Sequence, residues 1–439
     1  MRTQRALSLR NPGWLRWDMR SPIDDYLEQV LSDCRDDDGG EVATGNRELE
    51  HADPSSFGIA LATIDGTVYT AGDADHEFSI QSIGKVPAYA LALRDRGLET
   101  VLERVDTEPS GDAFNEISLE AETGRPRNAL INAGAVAVHG MIDGSDATDR
   151  TDRIIDLVST LAGRRVEVDR EVHRAELASD DHNTALAYLL RSAGKLDSEP
   201  DDVVDGYAAQ CSIRVSCRDL AVMGSVLANG GMSTGKDERL LEGWITRHVL
   251  SVMATCGMYD GSGSWMARVG IPAKSGVSGA ILGVLPGQVG LAVWSPQLDD
   301  QGNSVRGVAV FERLSRDMEL HMMHVAPTGR PALRSATERD GETVVELQGD
   351  VRFAGAEIVA SRACEGFATD AVVLDLTHVR VMDDAARRLI GEVARRLGED
   401  YDLRIEDPDH LMDVASADDD FSDGDDTPDS DDPPTAEDS

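Results

Sequence analysis

The chain has 439 residues, 41% of them hydrophobic, and a formal net charge of -39 from 81 acidic and 42 basic side chains. That length suffices for two or three domains with a substantial core. The sign of the charge argues against binding to nucleic acid or to an anionic membrane surface, and no apolar run is long enough to read as a membrane-spanning helix.

Residues 1–18 carry Arg2, Arg5, Arg10 and Arg16 against the single acid Asp18. They lack the apolar centre of a signal peptide and contradict the charge of everything after them. They read as a start-site extension ahead of Met19 or as a disordered basic arm. Ser21-Pro22-Ile23-Asp24-Asp25 then predicts a helix, with Ser as N-cap and Pro at the first position. Residues 57–69 predict a hairpin closed by a type I′ turn at Asp65-Gly66.

Ser82-Ile83-Gly84-Lys85 follows the short run Phe78-Ser79-Ile80-Gln81 and precedes the apolar stretch from Val86 to Leu93. A hydroxyl and an amine three residues apart share one face at a helix start. Serine is a poor nucleophile until a base takes its proton, and a buried neutral lysine is one of the few groups able to do so. Lys274-Ser275-Gly276 supplies a second cationic triplet beside an apolar strand-like run. Only four lysines occur, Lys85, Lys195, Lys236 and Lys274, so finding two of them in these triplets is seldom an accident. Two other motifs are decoys. Gly230-Gly231-Met232-Ser233-Thr234-Gly235-Lys236 imitates a phosphate loop, but Asp237 stands where Ser or Thr would hold magnesium. His321-Met322-Met323-His324 has no partner at metal-binding spacing, so no metal is expected.

Residues 280–284 and 289–294 predict two strands joined at Pro286-Gly287. A hairpin early, helices between and strands late imply one antiparallel sheet packed on a helical lobe, spanning residues 19–316. Residues 317–340 read as a polar linker. Residues 341–415 form a smaller unit with strands at 343–347 and 371–376 and an amphipathic helix at 384–397. Residues 416–439 are a disordered acidic tail.

An acidic, lysine-poor surface suits a protein working in molar salt, where the Debye length falls to about 3 Å and self-repulsion is screened. Most of the negative charge lies outside the tail. The melting temperature is therefore expected to fall as salt is lowered to about 50 mM, in the full chain and in a chain ending at Ala415 alike; unchanged melting in both would refute the salt-adapted reading. The five cysteines share no C-x-x-C spacing and read as reduced, mostly buried thiols of a cytoplasmic protein.

Six blocks in order resemble the serine-dependent glutaminase family. They are Gly72-Asp73-Ala74-Asp75, the stretch from Phe78 to Lys85, Glu108-Pro109-Ser110-Gly111, the stretch from Asn128 to Ala135, Cys256-Gly257-Met258-Tyr259-Asp260, and Pro272-Ala273-Lys274-Ser275-Gly276-Val277. The resemblance implies a β-lactamase-like or penicillin-binding-protein-like α+β domain. It implies Ser82 as nucleophile on the γ-carbonyl of L-glutamine, Lys85 as general base and Tyr259 as proton shuttle to the leaving ammonia. The backbone N–H groups of Ser82 and Val277 would form the oxyanion hole. Asn132, Glu176, Asn183 and Tyr207 would hold the substrate head group, with Glu176 on the ammonium and the amides and phenol on the carboxylate. The family implies a homo-oligomer, with water as co-substrate and no cofactor. One departure is Gly45-Asn46-Arg47, where the family usually reads Tyr-Ile-Pro, so a ring that contacts substrate is missing. The smaller unit resembles a STAS domain, an α/β module of anti-sigma-factor antagonists, at Asp375-Leu376-Thr377-His378-Val379 and Met382-Asp383-Asp384-Ala385. The fold class is therefore multidomain α/β. A penicillin-recognising hydrolase and a catalytically weakened scaffold acting through a STAS partner remain competing readings.

Overall fold

The computed structural model describes residues 21–44, 47–111, 119–235, 237–324 and 331–412. The Gly45-Asn46 departure, Lys236, the basic arm and the acidic tail lie outside the described residues. The chain divides into two compact units, Met1–His324 and Val325–Ser439.

In the first unit the Ser21 hydroxyl accepts from the Ile23 N–H and Pro22 opens helix α1, Pro22–Asp33, where its missing N–H is no loss. Strands β1 (Gly58–Thr63) and β2 (Val68–Gly72) pair antiparallel as the sequence predicts. The turn between them differs. Gly66 has φ 93° while Asp65 does not enter the left-handed region, so a type I′ turn is excluded. The Asp65 carboxylate instead accepts from the Thr67 N–H at 3.1 Å, and Thr63 N–H donates to Thr67 O at 3.0 Å. Asp serves here as a side-chain acceptor that stabilises a longer loop.

Helices α2 (Lys85–Arg96), α3 (Asn132–Met141), α4 (Ala147–Ala162), α5 (Arg170–Ala178), α6 (Asp181–Ser192), α7 (Pro200–Cys211), α8 (Cys217–Ala228) and α9 (Gly243–Cys256) follow. Strands β3 (Ala273–Gly276), β4 (Ala280–Leu285) and β5 (Val289–Trp294) and helix α10 (Val305–Asp317) complete the unit. The sheet order is β2-β1-β5-β4-β3, antiparallel throughout.

Strands β1, β4 and β5 are nearly all apolar because both faces of the sheet are covered. Ala60, Leu282 and Ala292 face a core shared with α2, α3, α4, α7 and α8. Ile59, Ile281, Leu291 and Val293 face a second core closed by α1 and α10. A Cβ on Gly290 would stand 2.2 Å from Ala221 O, and one on Gly224 would stand 2.9 Å from Gly290 Cα. The two glycines thus let α8 lie directly on β5. Pro87 sits in the first turn of α2, a position that tolerates proline. Cys34, Cys211, Cys217 and Cys256 are buried free thiols and Cys364 is exposed.

The second unit is a four-stranded sheet of β6 (Leu333–Arg339), β7 (Glu342–Val351), β8 (Ala371–Met382) and β9 (Asp402–Glu406), in that order. The β6–β7 pair is antiparallel, and β7–β8 and β8–β9 are parallel. Helices α11 (Phe353–Cys364) and α12 (Asp384–Asp400) make the parallel crossovers and share a core with Leu347, Leu374 and Leu376. The segment read as a linker therefore carries a strand. Arg334, Glu338 and Arg339 give β6 the charge of an edge strand, which sequence reading took for linker polarity. The polar residues Thr377, His378 and Arg380 likewise hid the extension of β8 beyond Leu376. Among the described residues, no helix is long and apolar enough to cross a membrane.

Candidate active site

Ser82 lies in a 3-10 turn, Gln81–Gly84, and Lys85 opens α2 directly after it. The predicted shared face is thus formed by a tight turn running into a helix, a geometry that nearly eclipses positions three apart. Gln81 is held at φ 49° and Tyr259 at φ 52°. Both are left-handed non-glycine residues, and such strain is characteristic of functional sites.

Lys85 is 1% exposed. Its Nζ donates to Asn132 Oδ1 at 2.8 Å and to Leu130 O at 3.2 Å. Asn132 thus leads α3 with its side chain turned to the lysine. Among the described residues no carboxylate bonds the amine, and burial lowers Lys85 to about 8, with Cys211 opposing. Roughly a tenth of the amine is therefore neutral near pH 7, far more than in an ordinary lysine, and the neutral form is what a general base requires.

Tyr259 donates to Ser275 O at 3.1 Å, and a hydrogen bond joins its phenol to Ser82. Burial raises the phenol above its ordinary value, so it stays protonated at neutral pH. Lys274 reaches the same carbonyl, Ser275 O, at 2.6 Å, with Gly257 O at 3.3 Å. Its Nζ stands 4.3 Å from the centre of the Tyr259 ring. Burial, then the nearby charge of Lys85, pushes Lys274 well below the usual lysine range. Val277 occupies the turn after β3, and a Cβ on its neighbour Gly276 would stand 3.4 Å from Ile80 O. That contact seats the end of β3 against the Ser82 turn.

On the other side, Glu176 of α5 accepts from Gln81 Nε2 at 2.7 Å. Asn183 of α6 donates from Nδ2 to the Asp180 carboxylate. Tyr207 and Cys211, on α7, are buried. Burial first, then the charge of Glu176, raises the Cys211 thiol to about 12. Hydrogen bonds thus join Tyr259 to Ser82, Asn132 to Lys85 and Glu176 to Gln81, while Asn183 is bonded to Asp180 and Tyr207 lies within the influence of Asp180 and Glu176. A cavity of about 500 Å³ borders Leu130, Cys256 and Met266 and, of the eight residues singled out from the sequence, Tyr259 alone.

The sequence profile described as Glutaminase matches residues 40–323. The chain belongs to the glutaminase family. A glutaminase of Corynebacterium efficiens is 45% identical over 407 residues, covering 92% of this chain and 95% of its own. Its match thus extends through both units. A crystal structure of a protein named Mglu superposes with a TM-score of 0.83 at 47% identity, covering 90% of this chain and all of its own. The same protein in an L-glutamate binding form with 4.3 M NaCl gives a TM-score of 0.82 at 44% identity.

Four residues of this glutaminase went unassigned by sequence reasoning. Gln81 and Asp180 each bond a predicted head-group residue, and Cys211 faces Lys85 from α7. Lys274 was marked by its triplet and given no role. Gln81 was detectable as the neighbour of Ser82 and Asp180 as a residue three before Asn183; the approach of Cys211 to Lys85 depends on the packing of helices distant in sequence.

Proposed function

We propose that the chain hydrolyses L-glutamine to L-glutamate and ammonia through a glutamyl ester on Ser82. The observation that carries this reading is the buried Lys85 amine, shifted to about 8 and held by Asn132 Oδ1 and Leu130 O. Neutral Lys85 takes the Ser82 proton as Oγ adds to the γ-carbonyl. The oxyanion is received by the backbone N–H groups of Ser82 and Val277, donors at a helix start and a strand end. Tyr259 passes a proton to the departing ammonia and takes the one held by Lys85 in its place, so that Lys85, neutral again, accepts a proton from water and returns it to Ser82 Oγ as glutamate leaves. Glu176 pairs the substrate ammonium, and Asn132, Asn183 and Tyr207 are assigned to the carboxylate. No step calls for a metal or cofactor.

The second unit is proposed as a STAS-like module that docks a protein partner or packs against another copy in a homo-oligomer. The position aligned with the switching serine of such modules is Ala385. Asp383 already serves as N-cap of α12, its Oδ1 accepting from Ala386 N–H at 2.8 Å, so docking is constitutive rather than phosphate-controlled. The buried reduced thiols support a cytoplasmic location.

Ammonia release from glutamine, asparagine and a chromogenic cephalosporin, each in molar salt, tests the activity. Release from glutamine far above asparagine, with no cephalosporin cleavage, is expected. Cephalosporin cleavage would favour the penicillin-recognising reading, and no turnover of any of the three would favour the scaffold.

A further inference from the structure

The two carboxylates beside Tyr207 do different work. Asp180 immediately precedes α6 and accepts from Asn183 Nδ2. The other atom of that amide, Asn183 Oδ1, is buried and has no hydrogen-bond partner among the described residues. An ionised carboxylate only accepts, so the NH₂ of the amide must face Asp180 and the oxygen is left as the unused end. Tyr207 and Cys211 both feel the charges of Asp180 and Glu176. The two carboxylates, the amide and the phenol are therefore near neighbours, and a buried acceptor without a partner beside them calls for a donor from outside the chain.

We propose that Asp180 is a positioning residue: its carboxylate holds the Asn183 amide with Oδ1 toward the substrate, so that Asn183 accepts from the α-ammonium. This rests on the glutaminase reading above and departs from the expectation that Asn183 binds the α-carboxylate. An ammonium offers three N–H donors, and Glu176, already bonded to Gln81, leaves room for a second acceptor.

Burial raises the Asp180 carboxyl to about 6, with Asn183 opposing and the charge of Glu176 adding to the shift. The titratable groups facing it are Glu176 from α5, Asp181 on α6, and Tyr207 and Cys211 from α7. Once protonated, Asp180 becomes a donor. The amide then turns over, presenting NH₂ to an ammonium that cannot accept. Affinity for substrates bearing an α-amino group thus falls as pH drops through about 6.

The test uses the full chain with glutamine and with glutaramate, which lacks the α-amino group. Asp180→Ala, which removes the acceptor, is expected to raise KM for glutamine roughly tenfold, as loss of a hydrogen bond to a charged group does, with a smaller fall in kcat and little change in KM for glutaramate. The variant should also lose the rise in KM below about pH 6, and Asp180→Glu should keep the preference for glutamine. The Asn183 backbone N–H also faces the Asp180 carboxylate, so a purely structural role at the helix start is the alternative. Equal effects on both substrates, or an unchanged preference and pH limb, would establish that role and overturn the proposal. Titration calorimetry with L-glutamate and glutarate reads the same preference without turnover. Failure to release ammonia would therefore sink the glutaminase reading while binding still decided this one.

Discussion

Ser82→Ala or Lys85→Ala is expected to lower kcat by at least about 10³-fold, and the double variant to cost little more, because nucleophile and base act as one unit. The structure gives the physical reason. Lys85 is buried against two neutral oxygens, Asn132 Oδ1 and Leu130 O, so little stabilises its proton and burial lowers it to about 8. The base must be neutral to act, and its neutral fraction grows as pH rises through that value. The kcat/KM profile should therefore climb with an apparent acid limb near 8. Lys85→Arg should be as damaging as Lys85→Ala, since guanidinium keeps the charge and does not deprotonate. More than a tenth of wild-type turnover in Ser82→Ala, or free additivity of the two single changes, would contradict the coupled pair.

Tyr259→Phe is expected to lower kcat and kcat/KM together by about 10²-fold or more, the usual scale for loss of a positioned proton donor. KM should change little, because the hydroxyl matters as ammonia leaves rather than as glutamine binds. The ring itself is fixed by its left-handed turn and by the Lys274 side chain near its face, so the variant should fold and keep most of its melting temperature. Steady-state kinetics with thermal melting checks both halves. A large rise in KM with kcat preserved would make Tyr259 a binding residue only.

The sequence made the chemistry legible where it is local. Ser82 and Lys85 are three residues apart and need only a turn and a helix start to meet. The late strands were visible because β4 and β5 are covered on both faces and so read as unbroken apolar runs. The edge strand β6 was not, since its exposed charges mask it, and neither was the exact turn at Asp65, where a side-chain bond decided the conformation. Asp180 and Gln81 were missed for different reasons. The Gln81–Glu176 bond joins residues 95 apart and arises only when α5 packs on the Ser82 turn, whereas Asp180 and Asn183 are three apart and no motif marks their bond.

The most direct test of the account is to treat the chain with a glutamine analogue carrying a diazoketone in place of the amide, then map the modified peptide by mass spectrometry. Such a compound binds by the amino-acid head group and, once its diazomethyl carbon is protonated, alkylates with loss of N₂ whichever nucleophile lies beside the carbonyl that replaces the amide. The account predicts one covalent group, on Ser82, with loss of activity in step with labelling, protection by glutamate, and no label in Ser82→Ala. Label on Cys211 or Cys256 instead, or complete labelling of Ser82 with activity retained, would contradict it.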